Sequence, residues 1–206
     1  MDLKGKVAII TGASSGIGRE TAVSLARLGC FVSITGRNAD NLNKTKEACI
    51  AAGLEPGQIR TVVGDITTES VRKALIQAAL EISGKLDILI NNAGIGKWGP
   101  VSETPLSAFE SVMNVNLTSV IALTKLAIPH LVSAKGCIVN VSSIAALRPN
   151  NASPYYCISK AGLDMFTKVL ALELAPKGVR INSVNPAAID TDIWYRSGLP
   201  KEATAK

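Results

Sequence analysis

The sequence is poor in the residues that build disulfide-rich, zinc-binding and nucleic-acid-binding proteins. It has 1 histidine and 4 cysteines in 206 residues, and no two cysteines form a Cys-x-x-Cys pair, so neither disulfides nor structural zinc are expected. Tyr, Phe and Trp make up only 4% of the chain, and the 22 basic residues behind the net charge of +6 are scattered. We therefore expect no nucleic-acid partner, whereas an anionic small molecule such as a phosphate is compatible with the charge.

Long apolar runs are also absent. No uninterrupted apolar segment reaches the roughly 18 residues of a membrane span. The N-terminal segment Met-Asp-Leu-Lys-Gly-Lys has charges where a signal peptide needs its apolar core. We therefore expect a soluble cytoplasmic protein. With 47% hydrophobic residues, the chain can bury one sizeable core, and we expect a single domain over residues 1–206.

Five short apolar runs alternate with longer segments of helical spacing. The runs are typical of strands buried on both faces, and they span residues 7–10, 31–34, 59–63, 88–90 and 138–141. A sixth strand is then expected near residues 180–184. The predicted helices span residues 21–28, 42–52, 71–82, 109–131 and 156–174, with Gly29, Gly53, Gly84 and Gly136 placed to end the first four. This alternation predicts an α/β fold of the Rossmann type, a doubly wound parallel sheet between two helical layers, whose ligand binds beyond the carboxyl ends of the strands.

Three glycines follow the first predicted strand and lead into a helix. Gly12 permits a tight turn, Gly16 allows the backbone to approach a pyrophosphate, and Gly18 lets the helix pack on the strand. No lysine follows Gly18, which excludes a Walker-type NTPase loop. The alternative is a glycine turn without a ligand. The loop predicts a dinucleotide cradle made of Gly12, Ser14, Ser15, Gly16, Ile17 and Gly18.

The end of the second predicted strand indicates which nicotinamide cofactor would bind. In nicotinamide-binding folds an acidic residue there binds the adenosine ribose and repels a 2′-phosphate. This chain has Gly36 at that place, followed by Arg37, and a guanidinium can bind a phosphate through two hydrogen bonds. The pair predicts NADP(H) in preference to NAD(H). An alternative stays open, because Arg37 could cap a surface turn and Ser15 stands where a basic residue would give a second phosphate contact.

Tyr156 and Lys160 are four residues apart, on one face of the helix that follows the fifth predicted strand. This spacing alone is weak evidence, because a surface tyrosine and lysine can have it by chance. The position strengthens it, since the strand before the helix ends in Asn140-Val141-Ser142-Ser143. Tyr155 lies about 500° around the helix from Lys160 and is expected to point away from it, and Ser142 is expected to support the site from behind.

Five motifs together resemble those of the short-chain dehydrogenase/reductase family. They are the glycine loop, Asn91-Asn92-Ala93-Gly94, Ser143, Tyr156-x-x-x-Lys160 and Asn185-Pro186, in the family's order and spacing from Lys6 to Thr191. The resemblance implies an NADP-dependent oxidoreductase that transfers hydride between the cofactor and a carbonyl or alcohol. It implies that Tyr156 is the general acid and base, that Lys160 lowers its pKa and holds the nicotinamide ribose, and that Ser143 orients the substrate oxygen.

The resemblance assigns further residues. Asn116, directly before Leu117, would hold a water of the proton relay, and the alternative is a buried asparagine bound to the backbone. For Asp65 a helix-cap role is the alternative to a cofactor contact. The remaining contacts implied are Asp65 and Ile66 at the adenine, Asn92, Ala93 and Gly94 along the adenosine ribose, and Ile189 and Thr191 at the nicotinamide carboxamide.

The chain departs from the family pattern towards its C-terminal end. Ala187 stands where the family usually has glycine, and the usual seventh strand is not recognisable in a chain that stops at Lys206. We expect a small-molecule carbonyl or alcohol substrate, no metal, and, by resemblance, a homodimer or homotetramer. A cofactor-binding but catalytically inactive scaffolding protein is the rival function. An apolar substrate pocket could be lined by Trp98, Leu147, Trp194 and Tyr195, which could equally be lid or core residues.

Overall fold

The computed structural model describes residues 3–197, in which six parallel strands form one sheet. The strands are β1 (Val7–Ile10), β2 (Phe31–Gly36), β3 (Ile59–Val63), β4 (Ile88–Asn91), β5 (Cys137–Val141) and β6 (Arg180–Val184). Their order in the sheet is β3-β2-β1-β4-β5-β6, and every neighbouring pair is parallel. The direction of strand addition reverses between β1 and β4, so a crevice is expected beyond their carboxyl ends. The predicted doubly wound α/β fold is confirmed.

Helices cover both faces of the sheet. They are α1 (Gly16–Arg27), α2 (Ala39–Ala51), α3 (Glu69–Ser83), α4 (Leu106–Met113), α5 (Ser119–Ala134), α6 (Pro154–Leu174) and the short α7 (Ile193–Arg196). Helices α1 and α2 pack on one face, and α3, α5 and α6 pack on the other. The sheet is therefore the middle of three layers.

Strand β1 has two apolar faces, each packed in a different core. Val7 and Ile9 belong to the core on the α3, α5 and α6 side, whereas Ala8 and Ile10 belong to the core on the α1 and α2 side. All four are fully buried. Complete burial of a side chain such as Ile9 contributes about 1.5–3 kcal/mol, so a strand with two apolar faces is stable only in the middle of a layered sheet.

The predicted helices are found with ends within three residues of the structure, apart from the start of α1, and one of them is interrupted. Helix α1 begins at Gly16 rather than at residue 21. Its first turn contains Gly16 and Gly18 of the glycine loop, and because glycine is a weak helix former, the sequence does not indicate a helix there. The predicted helix 109–131 is α4 followed by α5, joined by a wider π-helical turn at Asn114–Thr118. Short π turns inside α-helices are frequent at functional sites.

Gly136 lies at the end of α5, as predicted. The residue in the left-handed conformation at the end of α5 is Lys135, with φ of 48°, rather than the glycine. A side chain at Gly136 would place its Cβ 2.3 Å from the carbonyl oxygen of Asp87. The glycine is required because two backbones meet there, and its N–H still closes the helix by donating to Leu131 O at 2.8 Å.

Within the described part of the chain, one helix is long and apolar enough to cross a membrane, the continuous rod Leu106–Ala134 that contains α4 and α5. Its residues Leu123, Ala127 and Leu131 are fully buried in the core against the sheet. A helix that packs in the core of a protein can have the same length and apolar composition as a membrane span.

Candidate active site

A cleft of about 1150 Å³ lies at the carboxyl ends of the strands. Its walls come from the segments that follow all six strands and from the first turns of α6. Every residue predicted for the site lines this cleft except Gly18 and Asn116, which lie behind its wall. The fold therefore brings together residues that are up to 179 positions apart, from Gly12 to Thr191.

The glycine loop is packed too tightly to accept side chains. Gly12 has φ of 66°, and a Cβ there would lie 2.8 Å from Ala93 Cα. At Gly18 a Cβ would lie 2.5 Å from the carbonyl oxygen of Gly12 and 2.4 Å from Asn92 Nδ2. Gly18 therefore packs the start of α1 against the loop after β1 and the Asn92 side chain. Ser15 is the N-cap of α1 but makes no side-chain cap bond, so its hydroxyl does not cap the N–H groups of the first helical turn.

Thr11 holds this loop to the segment after β4, a role that the sequence reasoning missed. Its Oγ1 accepts hydrogen bonds from the backbone N–H groups of Asn92 and Ala93, both at 2.9 Å. In return, Asn92 Nδ2 donates to the carbonyl oxygens of Thr11 (2.9 Å) and Gly12 (3.2 Å). The available signal was a threonine directly before the first glycine, at the end of an apolar strand.

Gly36, at the end of β2, faces the glycine loop. A Cβ at Gly36 would lie 2.9 Å from Ser14 Cβ, so any side chain at position 36 would displace Ser14. Arg37 follows, is exposed and lines the cleft. Among the described residues, no carboxylate lies within ion-pair distance of Arg37.

Asp65 lies near Arg37 and also has a local structural role. Its Oδ1 accepts hydrogen bonds from the N–H (2.9 Å) and the hydroxyl (2.7 Å) of Thr67. The backbone bond from Thr67 and, more weakly, the Arg37 charge lower the pKa of this carboxyl. The cap of α3 is Thr68 rather than Asp65, so Asp65 shapes the turn before the helix. Ile66, next in the chain, is buried in the core and reaches the cleft wall.

Ser143, Tyr156 and Lys160 converge at the opposite end of the same cleft. Ser143 ends the extended segment after β5, and its Oγ accepts a hydrogen bond from Ala145 N at 3.1 Å. Lys160 is almost completely buried, and its Nζ donates to the carbonyl oxygen of Val141 at 2.7 Å. The same Nζ lies 5.6 Å from the centre of the Tyr156 ring.

Burial dominates the protonation chemistry of this group. It raises the pKa of the Tyr156 phenol, while a side-chain hydrogen bond with Ser143 acts in the opposite direction. Burial also lowers the pKa of Lys160 to about 8, and the carboxylate of Asp164 opposes that change. In the protein by itself, loss of solvation outweighs the Ser143 hydrogen bond in its effect on the Tyr156 pKa. The role of Lys160 in lowering that pKa stays a prediction.

Asn116 lies in the π turn and is fully buried behind the cleft wall. Its Oδ1 accepts from Ile95 N (2.8 Å), and its Nδ2 donates to Ile95 O (2.9 Å) and Ser159 Oγ (3.0 Å). Ser159 Oγ in turn donates to Tyr156 O at 2.8 Å. Asn116 is thus a buried asparagine bound to the backbone, and the same bonds connect the segment after β4 to α6. Its role in holding a relay water stays a prediction.

The neighbours of two site residues, Ser142 and Tyr155, lie where they were expected. Ser142 is buried, and its Oγ donates to the backbone carbonyl of Lys160 at 3.3 Å, so it supports the site from behind. Tyr155 points away from Lys160, because its hydroxyl donates to Thr104 O at 3.0 Å and its ring packs edge-on against Phe109.

The last wall of the cleft comes from the segment after β6. Ile189 and Thr191 line it, and Thr191 Oγ1 donates to Ile189 O at 3.4 Å. A Cβ at Gly16 would lie 2.9 Å from Thr191 Cγ2, so this segment closes directly over the glycine loop. Of the described residues considered for a substrate pocket, Trp98 lines the cleft, whereas Leu147 and Tyr195 do not; the side chain of Trp194 lies outside the described residues.

No group of three or more His, Cys, Asp or Glu side chains within residues 3–197 could hold a metal ion. The donors that the cleft offers are backbone N–H groups, hydroxyls, amides and cationic side chains. Such a set suits a phosphate-bearing organic molecule better than a metal ion.

Comparison with known proteins identifies the family. Residues 6–200 match the family model of the short chain dehydrogenases. The chain belongs to the short-chain dehydrogenase family. This short-chain dehydrogenase is 36% identical to a 3-oxoacyl-(acyl-carrier-protein) reductase, FabG, of Thermotoga maritima, over 98% of this chain and 81% of the relative. This chain covers 61–81% of the length of five curated relatives that it matches.

Solved structures agree with this assignment. A short-chain dehydrogenase/reductase of unknown function from Caenorhabditis elegans, solved with cofactor, matches with a TM-score of 0.92 and 39% identity, over 99% of this chain and 77% of that one. A 3-ketoacyl-(acyl-carrier-protein) reductase from Brucella melitensis, complexed with NADH, matches with a TM-score of 0.87 and 34% identity, over 94% and 80% of the two chains. The family is one of oxidoreductases that use a nicotinamide cofactor.

Proposed function

We propose that this short-chain dehydrogenase transfers hydride between NADP(H) and a small carbonyl or alcohol substrate. The observation that carries the proposal is the convergence of Ser143, Tyr156 and Lys160 at one end of a cleft whose other end contains the glycine loop and Arg37. One end offers proton transfer to a substrate oxygen, and the other offers donors for phosphates.

The residues present fit a dinucleotide. The space beside the loop exists because Gly12 and Gly16 lack side chains, and both have positive φ. The N–H groups at the start of α1 suit a pyrophosphate. Asp65 and Ile66 are candidates to hold the adenine, Asn92, Ala93 and Gly94 the ribose, and Ile189 and Thr191 the carboxamide. When bound, the nicotinamide supplies or accepts the hydride.

The preference for NADP(H) over NAD(H) rests on positions 14, 36 and 37. An acidic side chain at position 36, which would bind the ribose hydroxyls of NAD(H), has no room beside Ser14. Arg37 is exposed at the cleft and has no carboxylate within 4 Å among the described residues. A guanidinium in this state is able to bind a 2′-phosphate, and Ser14 and Ser15 can add hydroxyl contacts.

The catalytic roles follow from the side chains. Tyr156 gives its phenolic proton to the substrate oxygen during reduction and takes it back during oxidation. Ser143 donates a hydrogen bond to the same oxygen and stabilises the charge that develops on it. Lys160, held by Val141 O, provides the positive charge that favours the Tyr156 phenolate and binds the ribose. Asn116 holds the segment after β4 against α6 and is the candidate anchor of the relay water.

The test is reduction of a panel of ketones and keto esters by the purified protein, followed by the absorbance of NADPH. Oxidation of NADPH that depends on both the carbonyl and Tyr156 supports the proposal. Tight NADPH binding without turnover of any carbonyl would instead support the inactive scaffolding protein.

The same proposal extends to assembly and organisation. Helix α6 exposes an apolar row of Met165 (58%), Val169 (56%) and Leu172 (80%), which lies at helical spacing and would be costly to leave in water. We expect it to pair, with the α4 and α5 rod, against a second copy of the chain. We also infer one cofactor-binding domain over residues 1–206, located in the cytoplasm.

A further inference from the structure

Asp164 lies on the same face of α6 as the proposed catalytic residues. Tyr156, Lys160 and Asp164 follow each other at intervals of four residues, which places them in one row along the helix. Asp164 Oδ2 accepts a hydrogen bond of 2.8 Å from Asn185 Nδ2, and that amide also donates to the carbonyl oxygen of Ser143 at 3.0 Å. One side-chain amide therefore joins α6 to the residue after β5 that is proposed to hold the substrate oxygen.

The segments after β5 and β6 are bound together at the same place. Ile144 N donates to Pro186 O at 2.9 Å, directly beside the Asn185 bond. The second segment continues to Ile189 and Thr191, which line the cleft. The contact between Asp164 and Asn185 thus reaches three of the segments that form the site.

The carboxylate is poorly satisfied for a buried charge. Asp164 is only 8% exposed, and its Oδ1 has no hydrogen-bond partner among the described residues. No cation lies within 4 Å of it in that part of the chain. A buried carboxylate in this state is destabilising, and an asparagine of the same shape could accept the Asn185 bond without the charge. A contribution to folding stability therefore does not explain why position 164 is an aspartate, whereas a role in function can explain it.

Lys160, one turn earlier, is the group on which this charge acts. The carboxylate favours the Lys160 ammonium and partly offsets the effect of burial on the lysine pKa. The other groups facing the ammonium are the Tyr156 ring on α6, the Val141 carbonyl on β5 and the backbone of Gly94 after β4. Of these, only Tyr156 titrates.

We propose that Asp164 is a positioning residue of the hydride-transfer site, which through Asn185 fixes Ser143 and the segment after β6 relative to the helix that carries Tyr156 and Lys160. The inference rests on the proposed function. The charge of Asp164 has a second effect, because it favours the protonated form of Lys160. Asp164 and Asn185 are 21 positions apart, and Asp164 belongs to none of the motifs from which the site was predicted.

Three variants separate the bond from the charge. Asp164→Asn keeps a hydrogen-bond acceptor for Asn185 and removes the charge. Asn185→Ala removes the hydrogen bond and keeps the charge of Asp164. Glu173→Gln, on the exposed side of α6, is the matched control for the loss of a negative charge. If Asn185→Ala does not fold, Asn185→Ser replaces it. Three measurements compare each variant with the parent. They are the Lys160 pKa from an NMR titration with isotope-labelled lysine, the midpoint temperature of thermal unfolding, and kcat with KM.

For Asp164→Asn we expect the Lys160 pKa to fall by about one unit, the alkaline limb of the rate profile to move with it, and no loss of thermal stability. For Asn185→Ala we expect kcat to fall about tenfold, since small misplacements of reacting groups are costly, with KM for NADPH nearly unchanged. An unchanged Lys160 titration in Asp164→Asn, or an unchanged kcat in the Asn185 variant, would overturn the inference. Absence of turnover in the parent would instead contradict the proposed function, and the NMR titration distinguishes the two failures because it needs no substrate.

Discussion

The Lys160 ammonium lies 5.6 Å from the centre of the Tyr156 ring, and both side chains belong to successive turns of α6. The distance allows the lysine charge to act on the phenol, yet burial keeps the Tyr156 pKa above its ordinary value in the protein alone. We expect the positive charge of a bound oxidised nicotinamide to lower that pKa.

Replacing Tyr156 by phenylalanine removes the proposed proton donor and leaves the ring. We expect kcat to fall by about 10²–10⁴, while NADPH binding, measured by fluorescence, stays within a few-fold of the parent. Tyr155→Phe is the control. It removes only the hydroxyl that donates to Thr104 O, so it should cost about 1 kcal/mol of stability and leave kcat unchanged. Equal loss of activity in both variants would contradict the assignment.

The pH dependence of reduction should report the buried lysine. Burial lowers the pKa of Lys160 to about 8, so the ammonium is present below that pH and is lost as the pH rises through it. We therefore expect kcat/KM for NADPH, which reports the free enzyme, to be level near neutral pH and to decline above about pH 8. A profile that stays level to about pH 10, the ordinary range of lysine, would show that Lys160 is not the group that controls the rate.

Cofactor choice can be tested at Arg37. In Arg37→Gln we expect KM for NADPH to rise at least about tenfold, because a charge-assisted contact with the 2′-phosphate is lost. KM for NADH, which has no phosphate there, should stay nearly constant. Arg27→Gln, at the end of α1 on the surface, is the matched control. If Arg37→Gln raises both KM values alike, Arg37 acts on the fold of the turn rather than on the phosphate.

The exposed row on α6 can be tested at Leu172, which is 80% exposed. Leu172→Glu would place a charge in the proposed interface, and we expect the apparent mass in light scattering after size exclusion to fall to that of one chain. Leu28→Glu, at an exposed apolar position beyond α1, should leave the mass unchanged. A parent protein that already runs as a single chain would refute the proposed assembly.

The fold could be predicted from the sequence because most residues of its inner strands are buried on both faces, whereas the edge strands β3 and β6 are partly exposed. Runs such as Val7–Ile10 are too short for helices and too apolar for loops, so all six strands were found, although β2 extends two residues further and includes Gly36. Helix ends were less predictable. The first turn of α1 contains glycines, and the requirement for Gly136 comes from the distant backbone of Asp87.

The candidate site was predictable where chemistry has a fixed spacing and unpredictable where it depends on tertiary contacts. The glycine loop and the Tyr156 and Lys160 pair are local patterns. In contrast, the Thr11 bonds to Asn92 and the Asp164 bond to Asn185 join segments that only the folded sheet brings together. The direction of the Tyr156 pKa shift also depends on burial, which no spacing reveals.

The π turn at Asn114–Thr118 has a consequence for how the long rod of α4 and α5 works. A wider turn adds a residue to the helical repeat, so the face that α5 presents to the sheet is rotated by about 100° from the one that a continuous α-helix would continue from α4. The two halves of the rod therefore pack against surfaces in different directions, and Asn116 lies in the turn where the direction changes. Deleting a single residue from this turn would leave a straighter and more regular helix, but its two halves could no longer face both the core and Ile95 in the required register.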